Sequence, residues 1–119
     1  MHLYIFLFSS LFFCHAKLSV VTIKLPSELE ETSGLEFKGN HLLTHNDSGD
    51  KARLYEFTTE GKLIKSTLFY DLKNKDWEDL AADEHHYYIA DTGNNFATRE
   101  NLRIYILNKE LIPEGTIQI

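Results

Sequence analysis

The sequence predicts an all-β chain of short antiparallel strands grouped into two four-stranded units. Three observations carry this expectation. Short apolar stretches rich in Val, Ile, Tyr and Phe are punctuated by Gly, Asn and Asp at close spacing. No segment sustains a helical period. Residues 31–107 repeat one pattern twice. Ser33-Gly34-Leu35 returns as Glu78-Asp79-Leu80, and Leu43-Thr44-His45-Asn46 as Tyr88-Ile89-Ala90-Asp91, each 45 positions on. Leu54-Tyr55 returns as Ile104-Tyr105 after 50. A strand repeat of about 40–50 residues is the spacing of β-propeller blades. Propellers close with about 4–8 such blades, and a chain of 119 residues holds roughly two. The chain therefore reads as a partial β-propeller.

Each element follows from local residue chemistry. Residues 18–25 are rich in β-branched side chains and end at Pro26, which suits an edge strand. Residues 27–32 form a polar connection. The first unit, about 33–70, has strands at 34–38, 41–44, 54–58 and 63–70, with turns at Gly39-Asn40 and Glu60-Gly61 and a long polar loop at 45–53. The second unit, about 78–119, has strands at 79–82, 87–90 and 102–107, with a turn at Asp83-Glu84-His85 and a loop at 91–101. The tail 113–119 is expected to supply only the start of a fourth strand. Two blades without the rest of a ring leave open edges and uncovered apolar faces, so self-association is expected.

The N-terminus reads separately. Residues 3–13 are an uncharged, mostly apolar run, followed by Cys14-His15-Ala16. An apolar run of this length ending at a small residue is the pattern of a secretory signal and is too short to span a membrane. Residues 1–16 are thus expected to be a signal peptide cut after Ala16, leaving 17–119 as a secreted or periplasmic product. All 18 acidic and 12 basic residues follow Ala16, so that product carries the whole net charge of −6. An acidic surface argues against nucleic-acid and membrane-surface partners and favours cations. The only cysteine is Cys14, which leaves residues 17–119 without a disulfide or a thiolate metal site.

In a meander, the loops between second and third strands emerge at the same end as the connections between units. One rim is therefore expected to carry 45–53 (HNDSGDKAR), 73–79 (KNKDWED) and 91–101 (DTGNNFATREN), while the other carries plain hairpin turns. Loops at one end of a rigid scaffold commonly carry the site. Asp76, Glu78, Asp47, Asp91 and Asn94 supply the oxygen donors that hard cations such as calcium select. Trp77 is expected to point away from Asp76 and Glu78, into the junction between units. Each residue also has a plainer reading. Asn46-Asp47-Ser48-Gly49 and Asp91-Thr92-Gly93-Asn94 suit turn chemistry. His45 serves as ligand, general base or hydrogen-bonding group, and Arg53, Arg99 and Arg103 hold an anion or neutralise nearby aspartates. Asn46-Asp47-Ser48 also fits the N-glycosylation pattern. No phosphate loop, nucleophile elbow or zinc spacing occurs, and no catalytic residue is assigned.

The ordered set Ser33-Gly34-Leu35, Thr44-His45-Asn46-Asp47-Ser48-Gly49, Leu54-Tyr55, Asp76-Trp77-Glu78-Asp79-Leu80-Ala81, Asp91-Thr92-Gly93-Asn94-Asn95 and Arg103-Ile104-Tyr105 resembles exported bacterial six-bladed propellers. These are the TolB-like proteins near the SdiA-regulated and phytase-like families, and the match spans about residues 28–108. In the phytase-like relatives an Asp-x-Glu-Gly segment opening an inner strand contributes calcium ligands. Asp76 and Glu78 match it, and Asp79 stands where the glycine would be. The resemblance implies an exported propeller that binds a cation, a small polar ligand or a protein partner on its loop-rich rim. The alternative it implies is a fragment of a calcium-dependent phosphoesterase.

Overall fold

The computed structural model describes residues 19–119, and the expected signal peptide lies outside the described residues. Eight strands form two antiparallel four-stranded sheets in simple meander order. The first sheet contains β1 (Thr32–Lys38), β2 (His41–Asn46), β3 (Arg53–Phe57) and β4 (Leu63–Leu68). The second contains β5 (Trp77–Ala82), β6 (His86–Asp91), β7 (Arg103–Asn108) and β8 (Pro113–Gln118). The described chain is all-β and blade-like, as the repeat predicts.

The sequence reading is corrected in three places, the first being that His45, Asn46 and Asp91, expected in loops, close β2 and β6. The tail forms a complete fourth strand, because Asn108 builds the turn that precedes it. Its Oδ1 accepts the N–H groups of Glu110 (3.1 Å) and Ile112 (3.0 Å), folding β8 back along β7. Conversely, residues 19–25 carry no strand. They stand 45 positions ahead of the outermost strand β4, which has β3 to pair with, whereas no strand pairs with residues 19–25 among the described residues. A β-prone segment without a ladder partner leaves its backbone to water, so composition alone does not make it a strand.

Side-chain alternation gives each sheet two faces. On the first sheet, Leu43 and Leu54 point toward the second sheet, while Leu42, Thr44, Tyr55 and Phe57 point away. On the second, Leu80, Tyr87, Ile89, Tyr105 and Leu107 point back toward the first. The main core, centred on the fully buried Trp77, fills the space between the sheets. A smaller core, Leu29 with Tyr55 and Phe57, forms where the segment before β1 lies across the outer face of the first sheet. β1 and β5 make the closest approach. A Cβ at Gly34 would overlap the Leu80 backbone nitrogen and the His45 ring, so this crossing requires glycine.

Candidate functional site

Antiparallel pairing brings the end of β2, the start of β3, the end of β4 and the start of β5 to one end of the molecule. The end of β6 and the start of β7 join them there, because Asp91 pairs with both Trp77 and Arg103. Hydrogen bonds tie the three loops together. The Asn74 side-chain amide donates to the Asn46 carbonyl (3.1 Å), and the Asp76 N–H donates to Asp91 Oδ1 (3.0 Å). The buried polar residues Thr44, His45, Asn46 and Asp91 all lie at the rim ends of β2 and β6. The opposite rim carries the tight turns at Gly39 and Gly61, both with positive φ, and the exposed Asp83–His85 turn.

Asp91 is the centre of this rim. It is fully buried. Its Oδ1 accepts from Arg99 Nη2 (3.0 Å) as well as from Asp76, and Arg103 Nε stands 3.9 Å from Oδ2. Oδ2 itself has no hydrogen-bond partner. A buried carboxylate demands compensation, and here two guanidiniums supply it. Arg99 also donates to the Gly93 carbonyl (2.7 Å), which clamps the loop after β6 onto its strand. Asn94 serves the same loop. Its Oδ1 accepts the N–H groups of Thr98 and Arg99, both at 2.9 Å, and its nitrogen donates to the Arg99 carbonyl.

The remaining candidates sit differently. Asp76 lies against Gly93, where a Cβ would overlap its carboxylate, and its carbonyl accepts the Gly93 N–H (3.1 Å). Glu78 is exposed, at the irregularity where β5 shifts register against β6 between Trp77 and Asp79. Asp47 belongs to the loop of the first sheet, where its Oδ1 accepts the Ser48 N–H. Asp76, Asp91 and Asn94 are thus brought together around Gly93 and Arg99, with Glu78 beside them on β5 and Asp47 on the neighbouring loop. Among the described residues no three His, Cys, Asp or Glu side chains converge closely enough to hold a metal ion. A calcium cage needs about six to eight oxygens, and Asp91 Oδ1 and Asn94 Oδ1 are engaged by protein donors. The five residues do not form such a cage within this chain.

His45 is fully buried, and burial lowers its pKa from the ordinary value, which favours the neutral ring. Nδ1 donates to the Asn46 carbonyl (3.0 Å), and the ring meets Trp77 edge-on at 5.7 Å. Trp77 lies between the sheets, and its indole N–H donates to the Lys73 carbonyl (3.0 Å). Asn46 is engaged as well, with its nitrogen donating to the Glu28 carbonyl (2.8 Å) and Asp50 (3.1 Å). That nitrogen is inaccessible to glycosylation in the folded chain. The sequence reading gives Asn74 and Tyr105 no bracing role. Their roles as braces, through Asn46 and through the Lys73 carbonyl (3.2 Å), depend on loop contacts that no motif marks. Among the described residues no helix is long and apolar enough to cross a membrane. Compared with known proteins, the chain matches no family model and no curated sequence.

Proposed function

We propose that the chain is part of an exported, TolB-like six-bladed propeller that binds a cation or small polar ligand on its loop-rich rim without catalysing a reaction on it. The observation that carries this reading is the one-sided distribution of buried polar residues. Thr44, His45, Asn46 and Asp91 are all held at the rim that bears the polar loops, and the opposite rim bears short turns. Within this proposal Asp91, Arg99 and Asn94 hold the loop in shape, Asp76 and Glu78 meet the ligand, and Asp47 on the neighbouring loop adds negative charge to the same rim. Calcium is the proposed ion, with further oxygens drawn from outside these residues. The phosphoesterase alternative needs several clustered carboxylates with basic groups poised for phosphate, and no observation among the described residues favours it.

The test is calcium titration of the full chain by calorimetry, comparing Glu78→Gln with the opposite-rim control Glu84→Gln. Glu78→Gln is expected to weaken binding by about 1–3 kcal/mol, the scale of one charge-assisted contact, and Glu84→Gln to leave it unchanged. Absence of binding in the wild type, or equal affinity in Glu78→Gln, overturns the ion assignment.

A further inference from the structure

The repeat places Leu42, Thr44 and Asn46 of the first sheet where Tyr87, Ile89 and Asp91 stand in the second, and Leu35 where Leu80 stands. On the second sheet this face is covered by the first, and Leu80 is 3% exposed. On the first sheet the equivalent face is only half covered. Leu25 and Leu29 lie over Tyr55 and Phe57, but Leu35 and Phe37 on β1 remain 58% and 61% exposed. An open groove of about 410 Å³ runs along this face, lined by Ile23, Leu35, Leu42, Thr44 and Phe57 among others.

The other half of the same junction lies at the far side of the chain. The second sheet docks on the face of the first that bears Leu43, Leu54 and Glu56. The repeat converts those positions to Tyr88, Ile104 and Ile106, which lie on the outer face of the second sheet and are only partly buried. Ile117 on β8 pairs with Ile104 on that face and is 48% exposed. The chain therefore carries an acceptor face and a donor face of one kind of sheet-on-sheet junction, and its own two sheets show how such faces meet.

We infer that the outer face of the second sheet in one copy docks over β1 of another copy, head to tail. A second copy is the occupant because its donor face brings Tyr88, Ile104 and Ile106 to the repeat positions that Leu43, Leu54 and Glu56 hold in the internal junction. Head-to-tail contacts of this kind close into rings when the rotation allows. The inference rests on the blade-like repetition in the proposal above and not on the identity of the rim ligand.

The experiment is sedimentation velocity on the full chain with two variants, Leu35→Glu on the acceptor face and Ile117→Glu on the donor face. The wild type is expected to sediment at a multiple of 13.8 kDa, and each variant alone at the monomer mass. An equimolar mixture of the two variants is expected to reach twice the monomer mass and stop, because each variant retains one intact face. Fluorescence of Trp77, the only tryptophan and buried between the sheets, reports folding. A variant that exposes it is replaced by Leu35→Gln or Ile117→Gln. A monomeric wild type overturns the inference, as does a variant that associates like the wild type, or a mixture that stays monomeric. Calcium binding is read separately, so failure here leaves the rim proposal standing and failure there leaves this one.

Discussion

Leu35 and Leu80 occupy equivalent places in two copies of the same local pattern, yet one is mostly exposed and the other buried. Both lie in the innermost strand of their sheets, each opposite a buried residue of the next strand, Thr44 and Ile89 respectively. Strand formation is thus equally well specified in the two sheets. Burial is not, because it depends on a neighbour. The first sheet covers Leu80, and nothing among the described residues covers Leu35 to the same degree. The same contrast separates Trp77, fully buried at the start of β5, from Thr32, exposed at the start of β1. An apolar residue on a repeat face is a stabilising contact only where the next unit exists, which is why repeat architectures gain stability unit by unit.

This comparison is testable at its sharpest pair. Leu80→Ala is expected to cost about 2–5 kcal/mol, the range for emptying a packed core site. Leu35→Ala is expected to stay within about 0.5 kcal/mol in the monomer, as surface changes do. Urea denaturation below any associating concentration measures both. Equal costs would show that the two faces are equally covered and would remove the contrast. If the copies dock as inferred, raising the protein concentration makes Leu35→Ala costly as well, since the side chain then becomes an interface contact.

The next effect lies at the sheet crossing. Gly34 fits against the Leu80 backbone and the His45 ring with no room for a methyl group. Gly34→Ala is expected to destabilise by about 1–3 kcal/mol, the scale of overpacking, with altered Trp77 fluorescence because His45 packs on that ring. Its counterpart in the second sheet is Asp79, exposed on β5. Asp79→Ala is expected to be far milder by the same denaturant measurement. A benign Gly34→Ala would mean that β1 and β5 approach less closely than described.

The smallest effect is set by pH. Burial lowers the folded-state pKa of His45 below its ordinary 6.5. The unfolded chain therefore binds the proton first as pH falls, so the contribution of His45 is fully present above 6.5 and is lost progressively below it. Asp79 and Asp47 act in the opposite sense, favouring the charged ring. Subtracting the stability–pH curve of His45→Gln from that of the wild type isolates the effect from His41, His85 and His86. A flat difference between pH 7 and 5 would show that His45 is hydrated in the folded chain.

Several features were legible in the residues alone. The β-branched and aromatic runs, the turn residues and the 45-residue offset specify both sheets, their meander order and the rim that gathers the polar loops. These are local or nearly local properties, fixed by alternation and turn chemistry. The position of Trp77 between the units also followed from alternation. The candidate site was legible only as a composition. That Asp91 is buried and neutralised by Arg99, and that Asn94 braces its own loop, follows from loop conformation, which side-chain type does not determine. Residues 19–25 show the same limit from the other side, since their composition favours a strand but a strand needs a partner.

By itself, then, the sequence determined which segments extend, where they turn and that the unit repeats, because those depend on neighbours a few positions away. Tertiary structure alone decided which of two equivalent leucines is buried, which carboxylates are spent on arginines and which remain free at the rim, because those depend on what another part of the molecule brings within a few ångströms.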